Sequence, residues 1–358
     1  MKVIQQNLRI ILCVAFIATS IQASAETKNT EGFRLIWAGG INLNIDKVMQ
    51  RISDSGFNAA AVNGQNLNTL VPYGQKHNVA IYYWFHNIPP DKMKEFAQQM
   101  SPEENKILEA LKADKSVDKN GYQFGGEPLP GHKEVLTTPL LCFHRPETVE
   151  FCKKHLKTII EEFPEITGVA FDFIGYQNYR CCYCPQSTAQ FEEYYKKIQD
   201  KNISREAALE QFSLETLVKF NNELSAYVRK LKPGAKIATH VYPVFLPEPL
   251  YGNQLDVDYC CQTVAWFFKP YWLPEKIEKY TRYVVENEKK YFPAARGVPF
   301  IGLYQNPKGH FKSDEEFFKE LECVKKASPT RKDLSICTFA PFSKNPELGK
   351  KLEREIVK

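Results

Sequence analysis

Gly168-Val169-Ala170-Phe171-Asp172-Phe173-Ile174 is the stretch on which the reading of this chain turns. It is a continuous apolar run broken by a single carboxylate. A run of that length with no polar alternation reads as a strand covered on both faces, as in a parallel sheet under helices. A carboxylate inside it costs free energy unless it is paired or put to use. Asp172 is therefore either one half of a structural ion pair or a working group at a strand end.

The pattern repeats on either side of it. Upstream, residues 146–163 form a helix opened by Pro146, and 79–85 form another apolar strand. Downstream, 186–231 is helical with a break near Asn202, and 236–241 is a strand. Continuing outward, strands are expected at 35–38, 57–62, 257–264, 298–304 and 334–339. Helices are expected at 45–55, 67–76, 274–291, 314–326 and 347–356, and Ser313 is placed to cap the fourth of these. Eight strands, each followed by a helix or by room for one, predict a (β/α)8 TIM barrel. A doubly wound open sheet is the competing arrangement. Gly39-Gly40 is not followed by the dinucleotide glycine pattern, which counts against that arrangement, and no cofactor is expected. Residues 30–358 read as one barrel domain. The segment 87–145 is a long insertion after strand 3, with helices near 91–99 and 103–113 and a Gly- and Pro-rich loop at 121–130. Loops leaving strand C-termini emerge on the active face of this fold, so the insertion is expected to cap it.

Composition agrees with a folded, catalytic or binding protein. Charged residues are 25% and hydrophobic ones 43% of 358 residues, which excludes a disordered chain. The net charge of +5 is spread along the chain with no basic stripe, so no nucleic acid partner is expected. Residues 1–25 read as a secretory signal peptide: Lys2 and Arg9, then an apolar run over 10–21, then Ala23-Ser24-Ala25 as the cleavage pattern. The apolar run is too short to span a bilayer, no later segment is expected to span one, and a secreted or periplasmic location follows. Nine cysteines lie beyond residue 25. Among them Cys181, Cys182 and Cys184 follow the fourth strand directly and admit three readings: a loop disulfide, a metal site lacking an evident fourth ligand, or unpaired thiols. No metal ligand set is assigned from the sequence.

On a TIM barrel the chemistry sits at the C-terminal strand ends. Those ends carry Trp37 and Gly39, Asn63, Trp84 and His86, Asp172 and Tyr176, His240 and Tyr242, Gln262 and Trp266, Tyr304 and Gln305, and Phe339. Rings beside amides suit a sugar: the rings stack on its C–H faces and the amides bridge its hydroxyls. Trp84, Tyr176, His240, Tyr242, Gln262, Trp266, Tyr304 and Gln305 are the expected substrate contacts, with Trp266 the stacking platform and Trp272 its alternative. Asp172 is the expected catalytic carboxylate. Glycoside hydrolysis ordinarily needs a second one. Glu248, held between Pro247 and Pro249, is the first choice, ahead of Glu127 and Asp258. His86 or His240 could take over the acid–base work.

The block from Gly168 to Tyr179, with Cys182-Tyr183-Cys184-Pro185 and Phe191 after it, resembles a segment of exported glycoside-hydrolase-like TIM barrels, whose fourth strand reads Gly-aliphatic-x-Phe-Asp before a short cysteine cluster. The resemblance implies a carbohydrate ligand and a role for Asp172 at the reacting sugar, as nucleophile or acid. Gly175 stands where a basic residue is common, and Ser187 where a third cysteine often lies. The expected function is that of an exported glycoside hydrolase acting on an oligo- or polysaccharide. The alternatives are a non-catalytic carbohydrate-binding barrel and a metal-assisted hydrolase or lyase of another class.

Overall fold

In the computed structural model, eight parallel strands hydrogen-bond in chain order and close on themselves, the last pairing with the first. They are β1 (Arg34–Ala38), β2 (Ala59–Val62), β3 (Ala80–His86), β4 (Gly168–Asp172), β5 (Lys236–Val241), β6 (Tyr259–Ala265), β7 (Arg296–Gly302) and β8 (Leu334–Cys337). The surrounding helices are α1 (Ile45–Asp54), α2 (Leu67–Lys76), α3 (Pro102–Ala113), α4 (Pro146–Glu162), α5 (Pro185–Ile198), α6 (Arg205–Leu231), α7 (Pro274–Glu286), α8 (Asp314–Ala327), α9 (Ala340–Lys344) and α10 (Pro346–Ile356). The structure describes residues 32–39, 44–64, 67–113, 136, 138–198, 202–241, 254–265, 271–286, 295–303 and 312–357. Among the described residues no helix is long and apolar enough to cross a membrane. The fold is the expected (β/α)8 barrel with a large insertion after β3.

The barrel is filled by rings set against small residues. β2 is Ala59-Ala60-Ala61-Val62, and Ala170 and Ala238 sit mid-strand in β4 and β5. These short side chains leave volume for a lower ring layer, in which Phe33 stacks on Tyr259 at 3.6 Å and meets Tyr82 edge-on at 5.9 Å. A second layer nearer the strand C-termini holds Trp37, with its edge to Trp84 at 5.4 Å and to Phe300 at 6.5 Å. Gly168 opens β4 because nothing larger fits: a Cβ there would lie 1.8 Å from the carbonyl oxygen of Lys236.

Several element ends differ from the sequence expectation. β4 stops at Asp172 and does not continue to Ile174, because Phe173 takes a left-handed φ of 57° that no strand accommodates. β8 ends at Cys337, and Phe339 becomes the residue before the unforeseen short helix α9. The helix expected at 91–99 is a 3-10 turn, Asp91–Phe96, after which Ala97 leaves to bridge Leu141 in antiparallel fashion. The break near Asn202 is real: α5 and α6 flank it, and Asn202 has φ 51°. Ser313 caps α8 as expected, accepting from the amide of Glu316.

The insertion is bolted to the loop after β4 through buried amides. Within the insertion Asn87 donates to the Leu141 carbonyl at 3.1 Å, and Gln98 reaches the loop, donating to the Gly175 carbonyl at 2.8 Å. Gln98 also accepts from the Gln177 amide at 2.7 Å. Ser101 and Glu104 form a reciprocal capping box at the start of α3, and Glu104 additionally accepts from Asn178 at 3.0 Å. The described part of the insertion therefore sits on the C-terminal side of the barrel.

Candidate active site

Asp172 is the last residue of β4 and is only 4% exposed. Among the described residues three donors hold its carboxylate. Oδ1 accepts from the Phe173 amide at 2.8 Å and from Nδ1 of His240 at 3.1 Å, and Oδ2 accepts from the indole Nε1 of Trp84 at 3.0 Å. Burial alone would raise its pKa. The His240 bond and charge, the His86 charge and the Phe173 amide outweigh burial and hold it below the usual carboxylate range. Asp172 is thus ionised at neutral pH, inside a wall of rings.

His240 is fixed from both sides. Thr263 spends its hydroxyl proton on the Val241 carbonyl at 2.9 Å, which leaves a lone pair for Nε2 of His240 at 3.1 Å. The imidazole lies flat on Phe300, with ring centres 3.9 Å apart and planes 15° apart. A ring so held cannot swing away from Asp172, and its Nδ1 donates to a carboxylate that can only accept.

His86 stands beside Asp172 by register, since the two residues pair directly across β3 and β4. Its ring meets Trp84 edge-on at 4.8 Å. Burial lowers its pKa, against the opposing pull of Asp172, so the ring is neutral at pH 7. Its Nε2 is buried with no hydrogen-bond partner. A neutral imidazole with an unpaired nitrogen thus stands beside an ionised carboxylate. Trp37 closes the floor, donating to Ser335 at 2.8 Å, and Gly39 lies beside both Trp84 and Asn63.

The other expected residues divide. Trp84, His86, Asp172 and His240 converge. Tyr176 does not join them: its hydroxyl donates to the Ser213 carbonyl at 3.0 Å and lies 3.2 Å from Nε2 of His144, within the packing under α6. Once the chain turns out of β4 at Phe173, Tyr176 is carried away from the carboxylate it was expected to serve. Gln262 is also displaced. Neighbouring strand residues face opposite ways, and Thr263 is the one that meets His240, so Gln262 points toward the helices and donates to the Val241 carbonyl at 3.4 Å. Trp272 is buried before α7, with the Lys276 ammonium 3.8 Å over its ring and Tyr280 at 5.2 Å. Glu248, Tyr242, Trp266, Tyr304 and Gln305 lie outside the described residues, as does Glu127. Asp258 lies at the opposite end of the barrel, bonded to Lys236 at 2.8 Å and to the Ile237 amide at 2.9 Å. Thr263 and Phe300 are the members that sequence reasoning missed. Only the register that pairs His240 with Cys261 puts Thr263 on the inward face.

The cysteines form a second cluster nearby. All nine described cysteines are free thiols. Cys182 and Cys184 meet Cys142 of the insertion, and Cys181 is not part of the group. Cys184 is the most acidic of the three. The Cys142 and Cys182 thiols, the Ser187 amide and Arg145 pull its pKa down against burial.

No protein-family model matches this sequence, and no curated protein matches it. Solved structures do share its architecture. The beta-galactosidase from Rahnella sp. R3 superposes with a TM-score of 0.58 at 8% identity, over 92% of this chain and 56% of that one. The beta-galactosidase from the haloarchaeon Halorubrum lacusprofundi gives 0.54 at 11% identity, over 85% and 52%. That from Marinomonas ef1 gives 0.53 at 12% identity, over 86% and 54%. This chain thus spans a little over half the length of each. At such identity the likeness is one of fold: the chain is a closed eight-stranded parallel barrel resembling those of several glycoside hydrolases.

Proposed function

We propose that this protein is an exported hydrolase of glycosidic bonds in an oligo- or polysaccharide, with Asp172 as its nucleophile or charge-stabilising carboxylate. One observation carries the reading: an ionised, fully engaged carboxylate at the C-terminal end of β4, paired across the sheet with a histidine whose Nε2 has no partner. That is an asymmetric pair of titratable groups in a ring-lined mouth, and such pairs divide acid–base labour. Asp172 is held charged, which fits attack on an anomeric carbon or stabilisation of an oxocarbenium-like transition state. His86 is neutral, which fits accepting a proton from water or from a sugar hydroxyl. A general acid needs a raised pKa, and neither group has one. Glu248, on the loop after β5, retains that role in the proposal.

A panel of oligo- and polysaccharides assayed for new reducing ends tests the proposal. Hydrolysis of one class is the expected result. Tight glycan binding with no cleavage across the panel would replace the hydrolase reading with that of a carbohydrate-binding barrel. Export is tested separately by mass spectrometry of the mature chain, which should begin near Glu26.

A further inference from the structure

Three sulfurs converge where the insertion meets the loop after β4. Cys142 arrives from the insertion just before α4, and Cys182 and Cys184 from the loop before α5. Their Sγ atoms all lie within 4.8 Å of one another, with Cys142–Cys184 at 3.5 Å and Cys142–Cys182 at 3.6 Å. These separations are far from the roughly 2.05 Å of a disulfide. They are near the edge of a tetrahedron of thiolates around zinc, which at a Zn–S distance of about 2.3 Å is about 3.8 Å. Backbone amides already point at the sulfurs. Gln99 and Cys184 donate to Cys182, and Ser187, in the first turn of α5, donates to Cys184, each at 3.4 Å. Amide donors aimed at sulfur favour its anionic form, the form a metal requires. The Arg145 guanidinium adds a positive charge beside Cys184. All three cysteines are at most 3% exposed, and among the described residues no carboxylate joins the group.

We propose that Cys142, Cys182 and Cys184 bind one soft divalent cation of the zinc type as thiolates, with a solvent oxygen completing the tetrahedron. Three sulfur ligands select such an ion over magnesium or calcium. The ligands come from two segments that are 40 residues apart, Cys142 and Cys182. The ion would therefore rivet the insertion to the loop that begins directly after Asp172. Its work is structural and does not depend on what reaction the mouth performs.

The test uses the full chain, stripped of metal by chelator under reducing conditions and titrated with Co2+ and then Zn2+. The expected result is one Co2+ per chain with a strong sulfur-to-metal charge-transfer band, displaced by one equivalent of Zn2+, and a higher melting temperature for the loaded protein. Cys142→Ser and Cys184→Ser should lose the band, whereas Cys181→Ser and Cys152→Ser should keep it. Because the first two variants could fail to fold, the wild-type spectrum is the deciding measurement. A folded, reduced wild-type chain whose thiols titrate as free and which gives no charge-transfer band overturns the proposal. A band of equal intensity in folded Cys142→Ser and Cys184→Ser overturns it as well.

Discussion

The two ends of the barrel treat their carboxylates in opposite ways. At the base, just before the strands begin, Asp258 is met by Lys236, by Arg229 at 3.3 Å and by the Ile237 amide. Asp333 there accepts from the Phe33 amide at 2.6 Å and from Arg296 at 3.2 Å, with Arg331 at 3.6 Å. Permanent cations neutralise both, and both staple neighbouring strands. At the mouth, Asp172 receives an indole, an imidazole and one amide. Among the described residues, the side chains that act on its charge are those of His240 and His86, neither of them a lysine or an arginine. A carboxylate that only had to hold the barrel together would be better served by arginine, whose charge is permanent and whose donors fork onto both oxygens. The partner set at the mouth lacks that security, and this difference is what supports the proposed role of Asp172 in chemistry.

The sharpest way to break this contrast is Asp333→Ala. It leaves Arg296 and the Phe33 amide without their acceptor, and the expected loss is about 3–5 kcal/mol of stability. Urea unfolding checks it. Hydrolysis per folded molecule should not change, and a matching fall in turnover would mean that the base is also part of the site.

Trp84→Phe keeps the ring and removes one charge-assisted hydrogen bond to Asp172. Turnover should fall by roughly 10- to 100-fold, the equivalent of about 1.5–3 kcal/mol. Burial raises the Asp172 pKa and His240 does most to depress it; losing a further donor to the charged form should lessen that depression. In the native protein the contribution of that depression to stability is present above the unfolded carboxylate pKa of about 3.9. It is lost as pH falls through the lower folded value. In Trp84→Phe that loss should move to higher pH, which acid unfolding curves of the two proteins would show. Coincident curves would say that the indole does not tune the carboxylate. The smallest effect is expected from Lys76→Ala, which breaks an exposed pair with Asp46, and no measurable change in melting temperature should follow.

How much of this could be read in the chain depends on how local the signal is. The apolar run around Asp172 and its repeats carried the strands, their parallel order and the barrel, because burial on both faces leaves a mark on consecutive residues. The same logic placed His240, Trp84 and His86 at the strand ends beside Asp172, where the structure has them. It failed at Tyr176, since one left-handed residue, Phe173, ends the strand and redirects everything after it. It failed at Gln262 by one position, because in an all-buried strand hydrophobicity no longer distinguishes the inward face, and Thr263 looks no different from its neighbours. Cys142 carried no local hint of Cys182 and Cys184, because only the folded insertion brings it to them. Asn87 and Gln98 were equally silent: buried amides that satisfy loop carbonyls leave no periodic trace.

The most direct measurement compares Asp172→Asn with Asp333→Asn in the same preparation, taking kcat on a cleaved glycan and the melting temperature of each. Asp172→Asn should lose activity by on the order of 10³-fold or more while remaining folded and binding the sugar. Asp333→Asn should melt earlier and turn over at the native rate per folded molecule. If Asp172→Asn keeps its activity, or if its only deficit is stability of the kind seen in Asp333→Asn, then the mouth carboxylate is structural and the division between the two ends of the barrel is wrong.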